Sequence, residues 1–288
     1  MSRIFKKIYS YYFLAPAALI YSLLFIIPTG ISFYFSLTRW NLIQADFIGW
    51  ENFQTFFHEP ALIIGFKNTL IYAVLTCSLK VVFGLGIAVF LTSGLKTQNY
   101  LRSIVFFPNL LSSVAVGLAF CSLMHPTHGM INDALKSFGV AGPDWLGNPN
   151  LALYSVILVD LWKGVGVATV IYIAGLSSIP IEYYEAVAID GGSGFQKFKY
   201  ITLPLVRPAI NSVIILALIG GLRTFDLIWI MTKGGPGFAT DLLSSIVFKQ
   251  FGNGYYGLST AGNVLLFIMV SAIAFPLYHY ITKKEVVY

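Results

Sequence analysis

The sequence predicts an all-α, polytopic integral membrane protein of six transmembrane helices, on three observations. Of 288 residues, 57% are hydrophobic and only 10% are charged, whereas an ordinary soluble domain carries about 25% charged residues. The apolar residues gather into six stretches, each of the roughly 20 residues that a spanning helix needs. Lys and Arg concentrate in alternate connections between those stretches, the asymmetry that orients membrane proteins. Such a composition excludes a water-soluble fold and a disordered chain alike. The whole chain, 1–288, is expected to form one membrane domain.

The first predicted span, 11–36, follows Arg3, Lys6 and Lys7 and resembles a signal peptide in charge. Its uncharged run is too long for one, so it reads as a retained helix. The other predicted spans are 68–94, 103–125, 151–179, 209–232 and 254–281. Pro16, Pro28, Pro108 and Pro276 fall inside spans and predict kinks, which neighbouring helices can accommodate. Tyr9, Tyr11, Tyr12, Trp40, Trp50, Trp145, Tyr278 and Tyr280 lie near span ends, where amphipathic rings anchor at the headgroups. Connections 1–10, 95–102, 180–208 and 282–288 hold ten basic residues, and 37–67, 126–150 and 233–253 hold five. Both termini and the 180–208 connection are therefore expected on the cytoplasmic side of the cell membrane.

Several chemistries are not expected. The net charge of +6 is scattered between apolar runs, which argues for membrane orientation and against a nucleic-acid partner. No G-x-x-x-x-G-K-[ST] loop occurs, and Gly191-Gly192-Ser193-Gly194 lacks its Lys, so the chain is not expected to hydrolyse ATP. Neither H-E-x-x-H nor G-x-S-x-G is present, and the histidines have no carboxylate at catalytic spacing, so no catalytic residue is assigned. His125 and His128 flank Pro126 at a span end and read as interfacial. Cys77 and Cys121 sit in apolar stretches and read as core thiols; no metal site is expected.

The 180–208 connection predicts two short helices. Pro180 suits a helix start and Glu182 and Glu185 its positive end, while Gly191-Gly192 provides a stop after Asp190. A second segment, Gly194 to Tyr200, places Phe195, Phe198 and Ile201 on one side and is expected to end at Leu203-Pro204. Ile181, Tyr184, Ala188 and Ile189 are expected to be exposed beside the carboxylates. On physics alone this pair is a solvated connector or a docking element, and both readings stay open.

Ionisable residues within spans default to a functional role with a named partner. Asp160 and Lys163 are i, i+3 on the fourth span and Arg223 and Asp226 are i, i+3 on the fifth, so each pair can neutralise itself on one helix face, and self-pairing and substrate contact both stay open. Lys80 has no same-helix partner, which leaves it an acid of another span or a water-filled cavity.

Glu185-Ala186-Val187-x-x-x-Gly191, followed by Ile201-x-Leu203-Pro204, resembles the EAA loop of membrane subunits of binding-protein-dependent ATP-binding-cassette importers. The resemblance extends over nearly the whole chain. Phe47-Ile48-Gly49-Trp50-Glu51-Asn52-Phe53, Trp145-Leu146-Gly147, Leu161-Trp162-Lys163-Gly164 and Phe225-Asp226-Leu227 through Met231-Thr232-x-Gly234-Gly235-Pro236-Gly237 are similar to elements of the sugar-importing branch, most like its maltose-type first permease.

The resemblance implies a permease working with a second homologous permease, two ATPase subunits and an extracytoplasmic sugar-binding protein within membrane lipid, with sugar as substrate. It implies alternating access driven by ATP on the partners and no cofactor of the chain's own. The coupling residues it implies are Glu182, Glu185, Ala186, Asp190, Gly191, Leu203 and Pro204, and Val187 replaces the usual Ala. The sugar-contacting residues it implies are Ser113, Asp160, Lys163, Gly164, Val167, Gly220, Gly221 and Thr224. Gly220 and Gly221 either widen the cavity or pack helices closely. The alternative is an ion-coupled secondary transporter, which predicts internal inverted repeats and uptake by this chain by itself.

Overall fold

The computed structural model describes residues 11–94 and 96–283. Arg3, Lys6, Lys7 and Tyr9, and the last residues from 284, lie outside the described residues. Helices dominate, in the order α1 (Ala15–Ser36), β1 (Thr38–Trp40), β2 (Ala45–Phe47), α2 (Glu51–His58), α3 (Pro60–Leu91), α4 (Gln98–Leu110), α5 (Ser113–Leu123), α6 (Met130–Ser137), α7 (Ala152–Ser177) and α8 (Ile181–Ile189). There follow α9 (Gly194–Leu205), α10 (Arg207–Leu222), α11 (Asp226–Met231), α12 (Leu243–Gly252) and α13 (Tyr256–Thr282). Four helices, α1, α3, α7 and α13, are long and apolar enough to cross a bilayer. The count becomes six if each of two bent pairs is one span: α4 with α5, bent by 96°, and α9 with α10, bent by 65°.

Three predicted spans differ from the observed helices. The second begins at Pro60, not at 68. Lys67, which closes the predicted 37–67 connection, is helical, and the two polar residues that follow it have partners. Asn68 donates to the Ala239 and Asp241 carbonyls at 2.9 and 3.1 Å. The Thr69 hydroxyl donates to Gly65 and accepts from the Leu243 N–H. The third span is broken at Leu111 and Ser112, whose extended backbones turn the chain three residues after Pro108, itself inside α4. The fifth span, predicted as 209–232, ends as α10 at Leu222 and resumes as the short α11.

Prolines account for two local irregularities. The π turns Ser22–Ile26 and Phe198–Thr202 each end two residues before a proline, Pro28 and Pro204. A proline lacks an N–H and crowds the carbonyl four residues earlier. Widening that turn to π spacing relieves the conflict without breaking the helix. The second short segment of the 180–208 connection therefore runs through Pro204 to Leu205 and does not stop at Leu203-Pro204.

The chain forms two compact units, one of the described residues up to Glu59 with Val247–Leu265, the other of Pro60–Ile246 with the residues from Leu266. In the first, β1 and β2 pair antiparallel with Thr38 opposite Phe47. The buried Asn52 amide ties the strand entry together, donating to the Ser36 and Thr38 carbonyls, both at 2.9 Å. Phe53 packs with Ala261 and Val264.

The second unit is built on α3, α7 and α10. Tyr72, Val156, Ile157, Leu227 and Ile228 form one buried cluster, and Ala88, Leu91, Ala168, Tyr172 and Val213 another. Small residues let the backbones approach, as in membrane bundles generally. A Cβ on Gly84 would lie 2.8 Å from the Ala168 Cβ, and one on Gly166 would lie 2.9 Å from the Phe106 Cα.

Candidate functional site

Within the second unit, a cavity of about 370 Å³ opens where the helices break. Asn109 and Ser113 line it from either side of the α4–α5 bend, and Arg223, Thr224, Phe225 and Asp226 from the gap between α10 and α11. Lys80 reaches it from α3, and Asp160, Lys163, Gly164 and Val167 from α7. Irregular backbone at membrane depth is tolerated where it lines a cavity, and such breaks are where transport sites form.

Lys80 finds its partner across the cavity: its Nζ lies 2.8 Å from Asp160 Oδ2. This pairing replaces the expected Asp160–Lys163 pair. Gly164 explains why, since a Cβ there would stand 2.7 Å from Lys80 Cε and 2.9 Å from its Nζ; the missing side chain is the slot through which the lysine passes. The expected Arg223–Asp226 pair is also absent among the described residues. Arg223 lies just past the end of α10, and Asp226 opens a new helix, so the i, i+3 register of one continuous helix is lost.

Six of the eight residues carried over from the resemblance line this cavity: Ser113, Asp160, Lys163, Gly164, Val167 and Thr224. Thr224 is fixed by its own hydroxyl, which donates to the Gly220 carbonyl at 2.9 Å, and by Ser244, which donates to the Thr224 carbonyl. The two glycines are elsewhere. Gly221 is buried against α3, where a Cβ would lie 2.7 Å from the Ala73 Cα; Gly220 is exposed with open space around it. Close packing, not a wider cavity, is what the Gly221 position provides. Asn109, Lys80, Arg223, Phe225 and Asp226 line the cavity without having been in the carried-over set. The three charges were visible as intramembrane ionisable residues, and Asn109 had only its place beside Pro108 to mark it.

The 180–208 connection forms the second region. Pro180 is the residue before α8 and Asp190 the one after it. Gly191 takes φ +75°, and the stop is a Schellman turn, with Gly192 N–H donating to the Val187 carbonyl at 2.8 Å and Gly191 N–H to Ala188 at 3.2 Å. Ser193 and Gln196 form a capping box at the start of α9. Tyr184, expected to be exposed, is half-buried because its hydroxyl meets the Thr202 hydroxyl at 3.0 Å and joins the two helices. Phe198 and Ile201 are half-buried, while Phe195 is exposed. Glu182, Glu185, Ala186, Asp190, Leu203 and Pro204 are exposed, and Ile189 is 86% exposed. Among the described residues no group of three His, Cys, Asp or Glu side chains is placed to hold a metal ion.

Residues 80–286 match the family model described as binding-protein-dependent transport system inner membrane component. The chain belongs to this family. The matched region contains the whole of the cavity lining and all of the 180–208 connection. The chain is 32% identical to the trehalose/maltose transport system permease protein of Thermococcus litoralis over 90% of its own length and 89% of that protein's. It is 30% identical to the multiple sugar-binding transport system permease protein of Streptococcus mutans, over 94% of each. Its fold resembles a chain of a bacterial ABC transporter involved in the import of the acidic polysaccharide alginate, with TM-score 0.85, 22% identity and coverage of 99% of this chain and 100% of that one.

Proposed function

We propose that this inner membrane component is a permease subunit of an ATP-driven saccharide importer, that its cavity is part of the translocation pathway, and that its 180–208 connection docks on an ATPase subunit. The observation that carries the reading is that α7 and α10, which supply much of the cavity lining, are the helices flanking that connection. A change at the cavity can thus reach the docking helix through two continuous elements. The relatives named for trehalose, maltose and multiple sugars support the saccharide class, as does a cavity lined by hydroxyl, amide and charged groups.

In this reading a second permease completes the pathway, two ATPase subunits bind ATP and magnesium, and an extracytoplasmic binding protein delivers the sugar; the chain carries no cofactor of its own. The basic-residue count supports cytoplasmic termini and a cytoplasmic 180–208 connection. Closure of the ATPase dimer drives the α8 helices of the two permeases together and turns the cavity outward, and hydrolysis resets it. Glu185 accepts a hydrogen bond from the ATPase groove, Ala186 permits close approach and Gly191 the turn. Family membership gives no support to an ion-coupled transporter acting by itself.

Radiolabelled saccharide uptake into proteoliposomes tests the reading. Uptake is expected only when both permeases, the ATPase, internal ATP and the binding protein are present; uptake by this chain in their absence overturns it.

A further inference from the structure

Lys80 has no role in the transport reading above, and its surroundings give it one. The Lys80 and Asp160 side chains are only 13% and 14% exposed, yet both face the cavity. Their 2.8 Å contact uses one Nζ–H and one carboxylate oxygen, Oδ2. The other carboxylate oxygen accepts no hydrogen bond among the described residues, and two ammonium N–H groups are likewise unused. The fully buried Tyr72 hydroxyl lies beside Asp160 and Thr224 without reaching hydrogen-bond geometry with either. A carboxylate oxygen only accepts and an ammonium only donates, whereas a sugar hydroxyl does both. An acceptor and a donor locked side by side therefore present the complement of two neighbouring hydroxyls.

We propose that the Lys80–Asp160 pair is one recognition element for a vicinal diol of the transported saccharide, with Asp160 Oδ1 accepting from one hydroxyl and Lys80 Nζ donating to its neighbour. The inference rests on the saccharide-importer reading and adds to it a contact residue, Lys80, and a hydroxyl pattern. Gly164 is the positioning residue, because any side chain there displaces the lysine from its slot. The ion pair serves recognition in two ways. It holds both charges in place before the ligand arrives, so little ordering remains to be done on binding. It also leaves neither charge isolated in a partly buried setting, where an unpaired charge is costly.

A purely structural ion pair would predict different behaviour from a recognition pair. Removing one partner leaves an uncompensated charge and harms assembly in either case, so the single variants do not discriminate. The neutral double variant Lys80→Met/Asp160→Leu does.

The experiment uses the assembled transporter in detergent. Radiolabelled maltose, trehalose and raffinose are first tested for uptake by wild type in proteoliposomes. The sugar transported is then titrated directly onto the complex without binding protein. The double variant is expected to assemble, while saccharide affinity falls roughly tenfold or more, as for loss of hydrogen bonds to charged groups. A wild-type analogue lacking one hydroxyl of the diol should lose a similar factor on wild type and little on the neutral double variant. Affinity within twofold of wild type in the double variant overturns the recognition role and leaves the importer reading intact. If uptake by wild type proceeds without any ATPase subunit, the importer reading falls, and the inference with it.

Discussion

Gly220 and Gly221 are adjacent in α10 yet sit in opposite surroundings, so alanine at the two positions is a controlled comparison. Each substitution gains helix propensity, about 1 kcal/mol in a helix interior, and this contribution largely cancels between neighbours. What differs is space. A Cβ at 221 would lie 2.7 Å from the Ala73 Cα, 2.8 Å from Thr76 Oγ1 and 3.3 Å from the Ala73 Cβ, whereas one at 220 meets nothing within 4 Å. The nearest obstacle is backbone of α3, so relief requires moving one helix from another, and overpacking of this kind costs about 1–3 kcal/mol. Gly221→Ala should therefore be less stable than Gly220→Ala by about that amount, roughly a 5- to 150-fold difference in the unfolding equilibrium. Unfolding of the complex in detergent, titrated with denaturant, reads the difference. Equal stability of the two variants would refute the assignment of Gly221 to the α3–α10 contact.

Other expectations follow from the loops and the docking helix. Gly191→Val forces a β-branched residue to φ +75°, so the end of α8 should loosen by about 1–2 kcal/mol, measured as faster hydrogen exchange at the Gly191 and Gly192 amides. Asn132→Leu removes the acceptor of the 2.7 Å bond from Trp145 Nε1 and the donor to the Pro126 and Pro143 carbonyls. A loss of about 1–3 kcal/mol and a red-shifted Trp145 emission should follow. Ala186→Arg places a long charged side chain on the exposed face of α8, and should abolish sugar-stimulated ATPase activity while leaving membrane insertion intact; undiminished stimulation would remove Ala186 from the docking surface.

The parts of this fold that sequence reveals are those fixed by local chemistry. The end of α8 was legible because Gly191-Gly192 is a local stop signal, and the fourth span because its apolar run is nearly uninterrupted. The start of α3 was not legible. The predicted connection runs to Lys67, whereas the helix continues back to Pro60, held in place by Asn68 and Thr69, whose partners lie 170 or more positions away. The α4–α5 bend was also hidden, because Pro108 was the conspicuous breaker and the turn falls at Leu111 and Ser112. In the cavity, α7 landmarks located Asp160, Lys163, Gly164 and Val167. The Lys80–Asp160 contact joins residues 80 positions apart, a distance over which periodicity and same-helix spacing carry no information. The break after Leu222 likewise depends on tertiary packing and separates Gly220 and Gly221 from the cavity that Thr224 lines.

The most direct test of the account is ATPase activity of the reconstituted transporter with sugar-loaded binding protein, comparing wild type with Glu185→Ala. The account predicts strong stimulation of wild type and none of the variant, with equal assembly and equal unstimulated activity. Full stimulation of Glu185→Ala, or saccharide uptake by wild type without any ATPase subunit, would contradict it.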